Sequence, residues 1–233
     1  MSILPRLSLA TLALAAALSA SATAFIWTDW YAANSASGFN GRLATGSGEV
    51  AVQYQGRYTS AQINHSGTNV WQPSSTYTGA EVDVAPHSDL IGITGGSGAI
   101  TQRLLFSQAV VDPVLAIVSL GRSTLTAYFD FGDLDFDIIS SGFGAFGGNA
   151  STLVELPGNV LAGTEGNGLI RFHGTFSELS WQVPVAESWA GITVGALGIA
   201  AQPVSVAEPG SLLLTALGIA GAARLRRSRH QLA

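Results

Sequence analysis

Three aspartates at alternate positions, Asp133, Asp135 and Asp137, are the residues whose type and spacing most directly suggest chemistry in this chain. They sit in Asp130-Phe131-Gly132-Asp133-Leu134-Asp135-Phe136-Asp137. In an extended strand, side chains two apart project to one face, so the carboxylates stand together while Leu134, Phe136 and Ile138 turn to the other. Carboxylate oxygens are the donors calcium takes, which makes these three the candidate calcium ligands. Neighbouring carboxylates on a strand are roughly 6.5 Å apart, so closing on an ion needs a bend. The segment also lacks the ligand order and closing glutamate of an EF-hand loop. The simpler reading is a solvated acidic face above a buried apolar one.

Other catalytic patterns are weaker. Histidine occurs at His65, His87, His173 and His230, and no Gly-x-Ser-x-Gly elbow accompanies them. Gly95-Gly96-Ser97-Gly98 lacks the lysine and hydroxyl residue of a phosphate loop and reads as a turn. Acidic residues are plentiful enough for a paired-carboxylate glycosidase, but no spacing selects two of them. Trp27, Trp30, Tyr31 and Trp71 fall in loop-like or turn-rich segments, and Trp27 and Trp71 are candidate platforms for stacking on sugar rings. Core packing is the competing and favoured reading for them, because tryptophan is mostly buried. Trp181 alternates with polar neighbours and is expected to face inward.

The elements that must position these residues are short strands. Val50, Val52 and Tyr54 alternate with polar or small residues, as do Leu125, Ala127, Phe129 and Phe131. Val114-Leu115-Ala116-Ile117-Val118 is continuously apolar between Pro113 and Gly121, which predicts a central strand. Further strands are expected at Leu90–Thr94, Ile100–Phe106, Leu134–Ile139, Leu169–Phe172, Leu179–Val183 and Gly191–Val194. Glycine-rich turns separate them. The pattern predicts an all-β antiparallel sandwich or jelly roll over residues 25–199. Residues 25–48 are the least periodic part and are expected to form a strand arm or a surface loop.

The two ends read differently. Arg6 precedes an apolar run from Leu7 to Leu18, and Ala22 and Ala24 of Ala22-Thr23-Ala24 supply the small-residue pattern of a signal-peptidase site, so residues 1–24 are expected to be a signal peptide with the mature chain beginning near Phe25. After a linker at 200–206, residues 207–233 carry Ala207-Glu208-Pro209, an apolar run from Leu212 to Ala223, and Arg224, Arg226, Arg227 and Arg229. Between Glu208 and Arg224 the segment spans roughly 22 Å as a helix against about 30 Å of hydrocarbon, so it crosses a membrane only with snorkelling arginines or local thinning. The arginines place the extreme C-terminus in the cytoplasm and everything before it outside.

Composition sharpens once the ends are set aside. The net charge is −5, yet fourteen of the fifteen acidic residues and only five of the ten arginines lie between Phe25 and Ala207. An acidic mature domain argues against nucleic acid and anionic lipid surfaces as partners. Cysteine is absent, so disulfides, thiolate nucleophiles and cysteine metal sites are excluded.

The acidic-proline motif, short apolar helix and arginine cluster resemble the PEP-CTERM sorting signal of exported proteins in Gram-negative bacteria, a tail also found on some ice-binding proteins. The motif departs by having Ala207 where the first proline is expected. Pro86-His87-Ser88-Asp89-Leu90-Ile91, Asp112-Pro113-Val114-Leu115-Ala116-Ile117-Val118, Phe172-His173-Gly174-Thr175-Phe176 and Trp189-Ala190-Gly191-Ile192-Thr193-Val194-Gly195 also look like the core of such proteins. The resemblance implies recognition by an integral-membrane exosortase, cleavage near Glu208-Pro209, and passage through the inner membrane to the periplasm, outer surface or extracellular matrix. It implies exopolysaccharide as the natural companion and carries no catalytic activity. The expectation is therefore an exported, non-enzymatic surface or matrix protein without an obligatory cofactor. A secreted carbohydrate-active enzyme using two carboxylates is the alternative.

Overall fold

Strand-period patterning and glycine-rich punctuation produce two antiparallel sheets in the computed structural model, which describes residues 25–34, 38–45, 48–96, 100–185 and 187–199. The strands are β1 (Ile26–Trp27), β2 (Asp29–Asn34), β3 (Gly38–Thr45), β4 (Gly48–Gln55), β5 (Tyr58–Gln62), β6 (Leu90–Ile93), β7 (Thr101–Val111) and β8 (Val114–Leu120). They continue with β9 (Ala127–Asp130), β10 (Phe136–Ser141), β11 (Leu153–Leu156), β12 (Val160–Gly163), β13 (Gly166–Phe172), β14 (Thr175–Gln182) and β15 (Ala190–Ala196). One sheet runs β10-β13-β8-β15-β6-β5, with β1 also paired to β15; the other runs β11-β12-β9-β14-β7-β4-β3-β2. Among the described residues no helix is long and apolar enough to cross a membrane.

The main core lies between the sheets, as in a β-sandwich. Val50, Val52 and Tyr54 of β4 and Ala127 and Phe129 of β9 meet Leu115 and Ile117 of β8 and Ile192 and Val194 of β15 there. The expected central strand holds. Every residue of β8 is buried, because β13 and β15 flank it and both of its faces are covered.

What covers its second face is the connection 63–89, which contains only a 3₁₀ turn at Ser74–Thr76. Trp71, Tyr77 and Val82 from this connection join Phe25 and Trp27 against Val114, Ala116 and Val118, forming a second apolar layer. Arg171 of β13 meets Glu81 of the same connection in an ion pair. A long segment without strands survives inside the domain because it brings its own buried side chains.

The N-terminal stretch is built of strands rather than a surface loop. Its residues form β1, β2 and β3, and the chain changes sheet at Thr28, from β1 beside β15 to β2 beside β3. Thr28 secures that switch: its backbone N–H (2.9 Å) and Oγ1 (2.7 Å) both donate to the Val194 carbonyl. Trp30 adds an indole bond from Nε1 to Thr193 Oγ1 at 3.1 Å. The expected strand at Leu134–Ile139 begins later, at Phe136, since Gly132 and Asp133 occupy a turn.

Candidate functional site

Asp29, His65 and Asp89 come from three separate segments and converge where the two sheets meet. Asp29 opens β2, His65 follows β5, and Asp89 directly precedes β6. His65 lies in a tight turn closed by a bond from Ser66 N to the Ile63 carbonyl, 3.1 Å. Both central residues, Asn64 (φ 55°) and His65 (φ 54°), are left-handed, a region in which Asn and His are enriched. Asn64 donates from its backbone N to Trp30 O (2.7 Å) and from Nδ2 to Tyr31 O (3.1 Å), which binds the turn to β2.

Asp89 is the buried member, with a side chain only 3% exposed. Each of its oxygens accepts a backbone N–H, Oδ1 from His65 at 2.7 Å and Oδ2 from Trp30 at 3.1 Å. Burial pushes the Asp89 carboxyl above its ordinary range; the two N–H bonds and the His65 charge pull it down, and Asp29 adds to the upward push. Asp29 gives Oδ2 to Arg42, whose Nε and Nη2 lie 3.0 and 2.9 Å away, and leaves Oδ1 toward His65. His65 Nε2 stands 3.9 Å from Asp29 Oδ1 and 4.0 Å from Asp89 Oδ2, and its ring packs edge-on against His87 with centroids 5.1 Å apart.

A second feature is aromatic. In the Gly142–Asn149 segment, Gly144 and Gly147 exchange both backbone bonds (2.8 and 3.1 Å), which turns Ala145-Phe146 into the corner of a tight hairpin. Phe143 is 60% and Phe146 54% exposed. This tip is held from beneath: Asn167 Nδ2 donates to Gly147 O (3.0 Å), Thr76 Oγ1 to Phe143 O (2.7 Å), and Gly142 N to Asn167 O (3.2 Å). Asn167 is fully buried and its Oδ1 takes the N–H of Ser119 at 2.9 Å. Phe146 also meets Trp189 edge-on at 5.3 Å. That indole lies over Gly92 and Gly191, paired across β6 and β15, where a methyl group at either position runs into it.

The residues singled out from sequence fare unevenly. Asp133, Asp135 and Asp137 are exposed and Phe136 is buried, but only Phe136 and Asp137 lie in β10 while Asp133 sits in the preceding turn, so the three aspartates do not line one strand face. They do not form a calcium cage: Asp137 turns to His173 Nε2 (2.8 Å) and Arg171 Nη2 (3.7 Å). Among the described residues the group of ligating side chains close enough to share an ion is Asp29, His65 and Asp89 instead. Trp71 is fully buried and Trp27 is 7% exposed, so neither offers a ring face to a sugar. Their indoles serve the second apolar layer, with Nε1 donated to Asp89 O (3.3 Å) and Val84 O (2.7 Å) respectively. Ala22, Ala24, Ala207, Glu208, Pro209, Arg224, Arg226 and Arg227 lie outside the described residues.

Two grooves are seen among the described residues. One of about 340 Å³ is lined by Thr101, Asp130, Gly132, Ser180 and Gln182, among others, and its single carboxylate is tied to Gly132 N at 3.1 Å. The other, about 290 Å³, has only Ala51, Gln53, Leu105, Phe106 and Ser107 around it. Neither holds two carboxylates.

The fold defines the class: an antiparallel two-sheet β protein with an added loop layer. In comparisons with family models, curated proteins and solved structures, nothing matches this chain.

Proposed function

We propose that this is an exported, non-enzymatic protein of the cell surface or extracellular matrix that holds exopolysaccharide at the Phe143–Phe146 tip. Delivery follows the terminal segments: signal peptidase removes residues 1–24, and an exosortase handles the PEP-CTERM tail with its short helix during passage through the inner membrane. The observation that carries the binding reading is the combination of exposure and rigidity at Phe143 and Phe146. Two phenyl rings more than half exposed are held on a hairpin fixed by Asn167 and Thr76, so the apolar face of a sugar ring meets a surface already ordered. Trp189 extends the platform beside Phe146.

Retention of the full chain on the host's own exopolysaccharide tests this. The double variant Phe143→Ala, Phe146→Ala is expected to lose about tenfold or more in retention, since two apolar rings no longer leave water on binding. Retention equal to wild type overturns the reading.

The enzyme alternative has one observation in its favour, the buried Asp89 beside Asp29 with its carboxyl raised by burial. Against it, both oxygens of Asp89 are already engaged by backbone N–H groups and its side chain is closed to a substrate. Release of reducing sugar from the host polysaccharide that disappears in Asp29→Asn is the result that favours the enzyme.

A further inference from the structure

We propose that Asp29, His65 and Asp89 form a site for a divalent transition ion of the zinc type, which ties the two sheets together at the N-terminal end of β2. This inference is independent of the aromatic tip. Hydrogen bonds fix both carboxylates, yet none joins the His65 ring to either of them. Three ligand atoms, one from each residue, lie within 4.8 Å of one another, and His65 Nε2 faces carboxylate oxygens at 3.9 and 4.0 Å. Those separations are too long for hydrogen bonds. They suit atoms that share an ion: a cation centred among them lies about 2.4 Å from each, a few tenths of an ångström beyond zinc–nitrogen and zinc–oxygen bonds.

The surroundings preorganise the three donors. The left-handed turn at Asn64-His65 is bonded to β2, Asp89 is fixed by two backbone N–H groups, and Arg42 occupies only Oδ2 of Asp29. Each carboxylate thus keeps an oxygen lone pair for the ion while its orientation is set by a second-sphere partner, the arrangement that tunes metal sites. Imidazole among the donors selects a transition ion over calcium or magnesium, which prefer all-oxygen sets. His87 in ring contact with His65 places a second imidazole next to the site. A doubly charged ion also offsets the burial of the Asp89 carboxylate. The consequence is mechanical. Asp29 belongs to the eight-stranded sheet, while His65 and Asp89 flank β5 and β6 of the other, so the ion bridges them.

Calorimetric titration of Zn²⁺ into the metal-stripped full chain at neutral pH, paired with thermal unfolding, tests the site. One ion per chain and a rise in Tm with zinc are expected, because an ion that binds only the folded state stabilises it. His65→Asn keeps a residue that tolerates the left-handed turn and removes the imidazole; it is expected to weaken zinc about tenfold or more. Asp29→Ala is expected to do the same and serves if the first variant fails to fold, while Asp133→Asn leaves binding unchanged. Absence of zinc heat, wild-type affinity in both site variants, or an equal rise in Tm with Ca²⁺ overturns the proposal.

Discussion

Asp89 accepts one backbone N–H on each oxygen, from β2 and from the turn after β5, and so acts as a polar tie between segments far apart in sequence. Its position has a signed consequence for pH. Burial raises the folded-state pKa above the unfolded value, so the contribution of Asp89 to stability is fully present below its unfolded pKa, about 3.9, and is lost as pH rises through the folded value. Metal-free wild type is therefore expected to hold its largest stability advantage over Asp89→Asn at low pH, with the gap shrinking toward neutrality. Tm measured against pH for the two proteins checks this; a gap that widens with pH contradicts it. Sequence alone pointed to the aspartates at 133, 135 and 137 because their periodicity is local. It missed Asp29 and Asp89, which meet over a separation that only folding closes. His65 was visible as one of few histidines, but nothing near it in sequence announced its partners.

At the scale of elements, the alternation in β4 and β9 and the continuous apolar run of β8 were legible, because a strand's two faces are written at period two. The connection 63–89 was not. It has no periodicity, and although burial was the favoured reading for the tryptophan within it, nothing in the sequence showed that it covers the outer face of β8. Treated as a core element, this connection makes a definite prediction. Trp71→Ala is expected to cost about 3–5 kcal/mol, as for other buried aromatic truncations, where a surface residue would change stability by about 0.5 or less. Chemical denaturation midpoints distinguish the two, and a near-neutral Trp71→Ala contradicts the layer. Strands β1 to β3 were equally hidden. Their pairing depends on Thr28 switching sheets and on β4 and β15 being present to receive them.

For the whole molecule, the proposed route of export concerns the ends and the proposed binding concerns the middle, so they are tested separately. Mass spectrometry of protein recovered outside the cell is expected to find an N-terminus near Phe25 and a C-terminus near Glu208. Intact peptides from Leu212 to Ala233 on that secreted form contradict proteolytic sorting. Residues 25–207 carry fourteen acidic residues against five arginines, a balance that disfavours nucleic acid and anionic lipid as partners on electrostatic grounds.

Sequence by itself determined the strand-rich class, the central place of β8, the acidity of the domain and the lack of any thiol chemistry. These are properties of composition and of neighbours two residues apart. Only the tertiary structure decided that Trp27 and Trp71 are buried, that Phe143 and Phe146 stand exposed on a hairpin held by Asn167, and that Asp29, His65 and Asp89 face one another. The physical reason is the same in each case. Exposure and convergence depend on which segments pack or pair across the fold, and the residues that do so here are separated by tens of positions along the chain.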